Sequence, residues 1–396
     1  MKALLLENIH PRAHEAFARA GIEVETRSGS LSEDELIGAL DGVQLLGLRS
    51  NTNLTAKVVA NSDLLAVGAF CIGTNQIDLN ATAARGIAAF NAPYSNTRSV
   101  VELVIAEIIS LARRLHEKSN KMHDGVWDKS AAGAHEVRGR TLGIVGYGNI
   151  GSQLSVVAEA LGLNVIFYDT ADKLAFSNAR KVGSLDELLA QSDVVTLHVD
   201  GRPGNAGMFG AEQFDKMKPR ALFINAARGM VVDDVALRER ILSGHIAGAA
   251  LDVFPVEPKR QGDEFTSVLR GLDNVILTPH VGGSTQEAQE EIGGFVSNKL
   301  VNYVTAGSTA NSVNLPEVLV NDDGASRVSH LHRNVPGVLA DLVRIIGETG
   351  INVRGQQLAT RGEFGYAVIE LDAPLPAEVA AKLESLEPTV RMRTLP

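Results

Sequence analysis

Three polar side chains with complementary chemistry follow apolar, strand-like runs in the second half of the chain. Arg228 follows ALFINAA, Glu257 lies in FPVEP, and His280 follows VILTP. A histidine titrates near neutral pH and can accept the proton of a hydroxyl group, while a carboxylate on its other ring nitrogen fixes its tautomer. A guanidinium can hold a carboxylate with two hydrogen bonds. Together the three side chains suit removal of a hydride and a proton from C2 of a 2-hydroxy acid.

Each of these residues also has a purely structural explanation. His280 after Thr-Pro could stabilise a turn, and Arg228 beside Gly229 could be a surface residue at the start of a helix. A structural role explains Glu257 less well, because the flanking prolines already restrict the conformation of its loop. The carboxyl ends of parallel strands meet at one edge of a sheet, so the joint placement favours a catalytic site.

The stretch 141–169, TLGIVGYGNIGSQLSVVAEALGLNVIFYD, predicts the hydride acceptor. Gly146, Gly148 and Gly151 follow an apolar strand in G-x-G-x-x-G spacing and open a helical pattern. The first glycine permits the turn, the second lets the backbone approach a pyrophosphate, and the third lets helix and strand pack closely. Asp169 ends the next strand and would bind the ribose hydroxyls. Its charge disfavours a 2′-phosphate, so we predict NAD rather than NADP.

Composition limits the class of protein. Of the 396 residues, 45% are hydrophobic and 21% are charged, which is typical of a globular protein. The length is sufficient for two or three domains. The net charge of -10 argues against nucleic acid or an anionic membrane surface as partner. Cys71 is the single cysteine, and no apolar run reaches the roughly 18 residues of a membrane span. We expect a soluble cytoplasmic protein without a metal site.

Residues 1–96 alternate strand-like and helix-like patches, which predicts an α/β layer with a parallel sheet. This segment lacks a phosphate-binding glycine pattern, so it is assigned to the substrate. Two turns, 47–52 and 70–75, directly follow apolar strands. For Arg49 the alternative is a solvated surface arginine. The candidate substrate residues in these turns are Arg49, Ser50, Ile72 and Gly73.

The segment 97–116 predicts a helix buried on several sides, opened by a capping box of Ser99 and Glu102. Residues 118–139 predict a polar arm. This arm carries the only tryptophan, Trp127, which is a candidate subunit contact or a residue buried against its own domain. Beyond it, strands alternating with helical patterns predict a doubly wound sheet.

Near the C-terminus, residues 307–324 lose helical periodicity and gather small and polar residues, which predicts a linker. Residues 325–396 then predict a β-α-β-β-α-β unit of the ferredoxin-like type. So short a segment with few aromatic residues has a thin core, and we expect it to pair with another copy.

Several motifs together resemble one family over essentially the whole chain. They are FCIGTNQIDL, NAPYSNTRSVVELV, GYGNIG, NAARG, FPVEP and TPHVGGSTQEAQEEIG. The chain resembles the D-2-hydroxyacid dehydrogenase family, and within it the members with a C-terminal ACT domain. The resemblance implies an α/β fold with two doubly wound parallel sheets, Rossmann-like and flavodoxin-like, plus the ferredoxin-like ACT domain.

The resemblance also implies the order of the domains. A substrate-binding domain, 1–96, is completed by a return helix, 284–306, for which Ser284 and Glu287 form a candidate capping box. The implied order continues with an inserted NAD-binding domain at 97–283, the linker at 307–324 and the ACT domain at 325–396.

Site residues carried over from the family fall on matching positions of this chain. The resemblance implies Arg228, Glu257 and His280 as catalytic, and Asn96 and Lys129 as further substrate contacts, with Lys129 lent by a neighbouring subunit. Implied cofactor contacts are Gly146, Gly148, Asn149, Ile150, Gly151, Asp169, Ala226, Ala227, Arg228, Asp252, His280, Val281, Gly282 and Gly283.

The implied activity is NAD-dependent oxidation of D-3-phosphoglycerate to 3-phosphohydroxypyruvate, which begins L-serine synthesis, with 2-hydroxyglutarate/2-oxoglutarate turnover as a side activity. Asn51 is a departure, because relatives typically have a second arginine there. It leaves open another phosphorylated 2-hydroxy acid, such as erythronate 4-phosphate. A non-catalytic NAD-sensing regulator is the alternative from a different class.

In the ACT domain, His332, Asn334 and Asn352 match a serine site that lies between two subunits. The resemblance therefore implies feedback inhibition by L-serine and a homo-oligomer, a tetramer. The structural alternative is that His332 and Asn334 cap the helix that starts after Pro336.

Overall fold

The computed structural model of the chain describes residues 1–258, 262–321 and 324–395. Residues 322–323 of the predicted linker and residue 396 of the predicted ACT domain lie outside the described residues. The chain divides into two units, Met1–Ser95 with Gln289–Pro396, and Asn96–Ala288. The second unit contains the residues of the predicted inserted domain, 97–283, and the first unit contains those of both the N-terminal segment and the predicted ACT domain.

The N-terminal segment forms an open parallel sheet. Its strands are β1 (Lys2–Leu5), β2 (Glu23–Thr26), β3 (Leu45–Leu48), β4 (Ala66–Ala69) and β5 (Ala88–Asn91), and its helices are α1 (Arg12–Arg19), α2 (Glu33–Ala39), α3 (Ala56–Ala60) and α4 (Leu79–Ala84). Among the described residues the strand order is β2-β1-β3-β4-β5, which is the flavodoxin-like order. Strands β3 to β5 are buried along their whole length, as expected for parallel strands covered on both faces.

The second unit contains the larger sheet. Its strands are β6 (Thr141–Val145), β7 (Asn164–Tyr168), β8 (Arg180–Lys181), β9 (Val194–Leu197), β10 (Ala221–Asn225), β11 (Ile246–Leu251) and β12 (Val275–Leu277). The helices are α5 (Thr97–Arg113), α6 (Leu115–His123), α7 (Asn149–Ala160), α8 (Leu185–Gln191), α9 (Ala211–Lys216) and α10 (Asp234–Leu242). The described strands lie in the order β12-β11-β10-β9-β6-β7-β8, all parallel, as in a Rossmann sheet. The predicted fold class is confirmed.

Both predicted capping boxes are wrong. Helix α5 starts two residues before Ser99, whose hydroxyl instead lies 2.8 Å from the Thr285 hydroxyl. The return helix is α11 (Gln286–Ala306), and its first turn is capped by Thr285, whose Oγ1 accepts the N–H of Ala288 at 3.2 Å. Ser-x-x-Glu is a short pattern that also occurs inside helices: the N-cap residue of α5 is Asn96, three residues before Ser99, and at α11 Thr285 takes the place of Ser284.

The helix predicted to reach residue 116 ends earlier, at Arg113. Arg114 adopts a left-handed conformation (φ +55°), and α6 then continues to His123. The predicted polar arm therefore begins only after α6. In the part of the chain that is described, no helix combines the length and apolarity needed to cross a bilayer.

The C-terminal segment has the predicted β-α-β-β-α-β order. Its elements are β13 (Ser326–Arg333), α12 (Val338–Gly347), β14 (Val353–Arg361), β15 (Phe364–Leu371), α13 (Ala377–Glu384) and β16 (Thr389–Leu395). The two helices cover one face of the antiparallel sheet β14-β15-β13-β16. On the other face, Leu331, Tyr366 and Val368 share a core with Ala88 and Phe90 of the N-terminal segment.

The segment predicted as a linker is held against the N-terminal sheet. The Asn314 side chain accepts the N–H of Ala89 at 2.9 Å and donates to the carbonyl of Ile87 at 2.8 Å. The Ser312 hydroxyl donates to the Ala89 carbonyl at 3.2 Å. These polar side chains satisfy the open edge of β5, so this composition reflects strand-edge hydrogen bonding and not a free connection.

Candidate functional site

The glycine-rich turn after β6 has the geometry that its spacing predicts. Gly146 has φ +92°, and a Cβ there would lie 2.6 Å from the carbonyl oxygen of His198. A Cβ on Gly151 would collide with the carbonyl oxygen of Gly146. Gly148 is the N-cap of α7, and no described atom lies within 4 Å of a Cβ built on it. The helix N-terminus is therefore open to the close approach of an anion such as a pyrophosphate.

Asp169 is fixed beside this turn at the end of β7. Its Oδ2 accepts the N–H of Tyr147 at 2.8 Å, and its Oδ1 accepts the N–H of Ala171 at 2.8 Å. The Tyr147 ring stacks on Phe167 with 3.7 Å between ring centroids, which keeps the turn in place. A carboxylate in this position can accept hydrogen bonds from ribose hydroxyls, and its charge repels the 2′-phosphate that distinguishes NADP from NAD.

The remaining predicted cofactor residues lie at the same carboxyl edge of the sheet. They follow β6 (Asn149, Ile150), β10 (Ala226, Ala227, Arg228), β11 (Asp252) and β12 (His280, Val281, Gly282, Gly283).

His280 and Glu257 form a hydrogen-bonded pair at this edge, with His280 Nδ1 lying 2.8 Å from Glu257 Oε2. The bond to Glu257 raises the pKa of His280 above its ordinary value, although burial acts in the opposite direction. Burial alone would raise the pKa of Glu257, but the hydrogen bonds from His280 and the Phe254 N–H, with the charge of Arg228, lower it overall. In the described structure His280 Nε2 makes no hydrogen bond, so it can meet a substrate hydroxyl.

Arg228 follows strand β10, which lies next to β11 in the sheet. Its Nη1 donates to the Ala227 carbonyl at 2.7 Å, and its other guanidinium N–H groups have no partner among the described residues. Asn225 holds the backbone of this turn by donating to the Arg228 carbonyl at 3.1 Å and accepting the Ala227 N–H at 3.1 Å. The structure thus places the predicted trio on one edge of one unit, with donors available for an anionic ligand.

Asp252 holds the loop that carries His280. Its Oδ1 accepts the Thr278 hydroxyl at 2.6 Å and the Val281 N–H at 2.8 Å, and its Oδ2 accepts the Gly282 N–H at 2.7 Å. His280, between these anchors, adopts a left-handed conformation (φ +53°). Such a conformation in a non-glycine residue persists where the surroundings fix both neighbours.

A further acid near Asp252, Glu107 on α5, is not predicted from the sequence. It is 3% exposed, and neither carboxyl oxygen has a hydrogen-bond partner within the described chain. Burial, with a smaller contribution from the charge of Asp252, raises its pKa to about 8. Its position continues the apolar spacing of Val100, Val104 and Leu111, and an acid at such a position is the signal that could have identified it.

In the first unit, the two turns predicted to contact substrate lie together. The Gln76 side-chain amide donates to the carbonyl of Arg49 at 2.5 Å and to that of Gly73 at 3.3 Å. The Asn91 side chain donates to the carbonyl of Ile72 at 2.6 Å. The Arg49 guanidinium makes no hydrogen bond or ion pair to a described residue, so it is available to an anion.

The other two predicted substrate residues lie in the second unit. Asn96 is the buried N-cap residue of α5, and within the described structure its Oδ1 has no hydrogen-bond partner. Lys129 is exposed on the arm after α6, and its ammonium group makes no hydrogen bond or ion pair with a described residue. The preceding residue, Asp128, pairs with Lys118 and Lys121, and these bonds lower its pKa.

Of the residues matched to a serine site, two are exposed and one is buried. Asn334 and Asn352 are exposed, whereas His332 is 3% exposed, with its Nδ1 3.2 Å from Nδ1 of His330. Burial lowers the pKa of His332. Helix α12 has Gly337 as its N-cap residue and no side-chain cap bond, so the capping alternative for His332 and Asn334 is wrong.

Comparison with known proteins identifies two domain families. Residues 105–282 match the family described as "D-isomer specific 2-hydroxyacid dehydrogenase, NAD binding domain". Residues 328–391 match the "AHAS small subunit-like ACT domain". The chain is 49% identical to the D-3-phosphoglycerate dehydrogenase of Escherichia coli (strain K12), over 100% of this chain and 97% of that protein.

Solved structures agree with this grouping. The structure of D-2-hydroxyisocaproate dehydrogenase aligns with a TM-score of 0.72 at 26% identity, covering 79% of this chain and 100% of that one. D-lactate dehydrogenase from Aquifex aeolicus, complexed with NAD and lactic acid, aligns with a TM-score of 0.65 at 26% identity, covering 76% and 95%.

The buried acid Glu107 leads to a prediction about stability. Because its folded pKa of about 8 exceeds the ordinary 4.5, the folded state binds more protons between these values, and stability falls as pH rises through that window. Glu107→Gln removes the ionisation. We expect its thermal midpoint to exceed that of the unsubstituted protein most at about pH 8.5, and the difference to shrink toward about pH 5. Glu102→Gln, at an exposed position on the same helix, is the control; a pH-independent difference would contradict the prediction.

Proposed function

The chain belongs to the D-2-hydroxyacid dehydrogenase family and is an NAD-dependent dehydrogenase, and we propose that it oxidises D-3-phosphoglycerate to 3-phosphohydroxypyruvate at the start of L-serine synthesis. The observation that carries the chemistry is the 2.8 Å bond between His280 and Glu257 beside Arg228. The observation that favours this substrate is the 49% identity to a D-3-phosphoglycerate dehydrogenase over the whole chain.

In the proposed reaction, His280 Nε2 accepts the proton of the C2 hydroxyl while a hydride leaves C2. NAD, when bound, accepts that hydride. Glu257 stabilises the imidazolium through Nδ1, and Arg228 holds the substrate carboxylate and polarises the C2 oxygen. The open N-terminus of α7 and the fixed carboxylate of Asp169 would hold the pyrophosphate and the ribose hydroxyls.

We assign the phosphate end of the substrate to the first unit's turns. The unpaired guanidinium of Arg49 and the exposed Ser50 would bind it, with Ile72 and Gly73 adjoining, while Asn96 and Lys129 stay predicted substrate contacts. Asn51 carries no positive charge, so we expect this turn to bind phosphate more weakly than a turn with a second arginine. That feature supports a second candidate, the oxidation of another phosphorylated 2-hydroxy acid such as erythronate 4-phosphate.

We also propose that the chain forms a homo-oligomer, a tetramer. Trp127 is 77% exposed, and Met122 and Val126, close to it in sequence, are also exposed. An apolar cluster of this kind on a surface arm is typical of a protein interface. The neighbouring copy would then lend its Lys129 to the substrate.

A panel of 2-hydroxy acids tests the substrate. We expect substrate-dependent NADH formation to be fastest, at equal low concentration, with D-3-phosphoglycerate, and slower with 2-hydroxyglutarate, because Arg49 binds a dianionic phosphate more strongly than a carboxylate. Faster oxidation of lactate or glycerate would contradict the proposal. Faster oxidation of erythronate 4-phosphate would favour the second candidate, and no turnover of any acid would favour an NAD-sensing regulator.

Glu257→Gln tests the catalytic pair through the pH profile. His280 acts as a base only when neutral, so kcat/KM for oxidation should rise as pH rises through its pKa. Because the bond to Glu257 raises that pKa, its removal should shift the acid limb to lower pH and reduce kcat by about a hundredfold. Glu264→Gln, in the same stretch of chain, should change neither. An unshifted limb would argue against the pair.

Feedback inhibition is tested at the exposed asparagines of the ACT domain. We propose that L-serine binds Asn334 and Asn352, since an amide side chain can both donate to a carboxylate and accept from an ammonium group. Millimolar serine should inhibit the unsubstituted protein, and Asn334→Ala should raise the inhibitory concentration by about tenfold or more. Glu384→Gln, exposed on α13, is the control. No inhibition by serine, or unchanged inhibition after Asn334→Ala, would refute the proposal.

A further inference from the structure

A buried carboxylate lies against the turn that carries Arg49. Glu7, after β1, is 7% exposed, and its Oε1 accepts the N–H of Arg49 at 3.2 Å and that of Thr52 at 2.9 Å. Its Oε2 accepts the N–H of Asn51 at 3.0 Å. Three amides of one turn therefore converge on one side chain, as they would around a bound anion.

The backbone at Glu7 is in an unfavourable conformation. Glu7 has φ +60° and Asn8 has φ +54°, both in the left-handed region. Such residues persist where the surrounding structure over-determines them, and they concentrate at functional sites. Here the three amide bonds to the Glu7 carboxylate, together with the bond from its own N–H to the Gly29 carbonyl at 3.3 Å, fix the conformation.

These bonds decide what the turn can offer to a ligand. The amides of Arg49, Asn51 and Thr52 are occupied by Glu7, and the Arg49 carbonyl is occupied by Gln76. The N–H of Ser50 and the guanidinium of Arg49 have no partner among the described residues. An anionic group at the turn can therefore accept hydrogen bonds from these two donors and from the Ser50 hydroxyl. The other backbone N–H groups of the turn are not available to it.

We propose that Glu7 is a positioning residue for the anionic end of the substrate. By binding the amides on both sides of Ser50, its carboxylate holds the turn in the one arrangement that leaves the Ser50 N–H and the Arg49 guanidinium unbonded. The inference rests on the proposed function, in which Arg49 binds the phosphate. Glu7 does not touch the substrate and acts through the turn.

Kinetics of Glu7→Gln in two backgrounds test the proposal. A glutamine keeps one acceptor oxygen and brings an amide donor toward three N–H groups, so the turn loses its anchor. We expect KM for D-3-phosphoglycerate to rise about tenfold, with kcat and the KM for NAD little changed. In an Arg49→Ala background the same substitution should have a smaller effect, through Ser50 alone, because residues that act through one another are not additive.

Control variants separate positioning from general damage. Glu25→Gln, a surface carboxylate on β2 of the same sheet, should leave KM unchanged. Glu7→Asp keeps the charge on a shorter side chain and should give an intermediate KM, and it replaces Glu7→Gln in the comparison if that variant does not fold. A KM that is unchanged by Glu7→Gln, or one that rises equally in both backgrounds, would overturn the proposal.

A binding measurement separates this inference from the proposed function. Inorganic phosphate should raise the thermal midpoint of the unsubstituted protein, and the part of that rise that Arg49→Ala abolishes should also be lost in Glu7→Gln. This result needs no turnover. If D-3-phosphoglycerate is not oxidised, the proposed function fails while the phosphate titration still decides the role of Glu7; an equal phosphate response in Glu7→Gln and the unsubstituted protein would refute it.

Discussion

The loop that carries His280 depends on one buried carboxylate, that of Asp252. Hydrogen bonds to a charged acceptor are short and strong, and the three donors from Thr278, Val281 and Gly282 compensate the cost of burying the charge. They also fix the backbone on both sides of His280, so that its left-handed conformation is retained and the imidazole is presented to Glu257. The position of the proposed base therefore depends on a side chain that is itself buried.

Glu107 shows what happens when a neighbouring acid lacks such donors. It is buried beside Asp252, but the described structure offers its oxygens no hydrogen bond, and burial raises its pKa to about 8. It therefore holds its proton at neutral pH, and the charge of Asp252 reinforces that state. The absence of hydrogen-bond donors leaves burial uncompensated at Glu107. This contrast keeps a second negative charge away from the loop that carries the proposed base.

Much of the architecture was predictable, because periodicity and glycine spacing are local properties. Both parallel sheets, the βαββαβ segment and the glycine turn agree with expectation, and Arg228, Glu257 and His280 do lie on one sheet edge. Errors arose where a short pattern had a competing neighbour, as at the Ser284 capping box, where Thr285 caps the helix. They also arose where polar residues bind a part of the chain that is distant in sequence. The Asn314 side chain accepts the N–H of Ala89, so the segment predicted as a linker is held at the edge of a strand.

The sequence does not reveal that three carboxylates position backbone loops, and the physical reason is the same for each. Asp169, Asp252 and Glu7 all accept hydrogen bonds from backbone N–H groups of loops next to strand ends. Almost every residue has a backbone N–H, so residue types do not indicate which of these groups binds a side chain. The dinucleotide fingerprint predicts Asp169, and the family resemblance implies Asp252, although neither signal indicates these backbone contacts. Glu7 had neither signal, since an acid after a short N-terminal strand resembles any surface residue until the chain folds. Residues that orient a turn through its amides must therefore be sought in the hydrogen bonds of the folded chain.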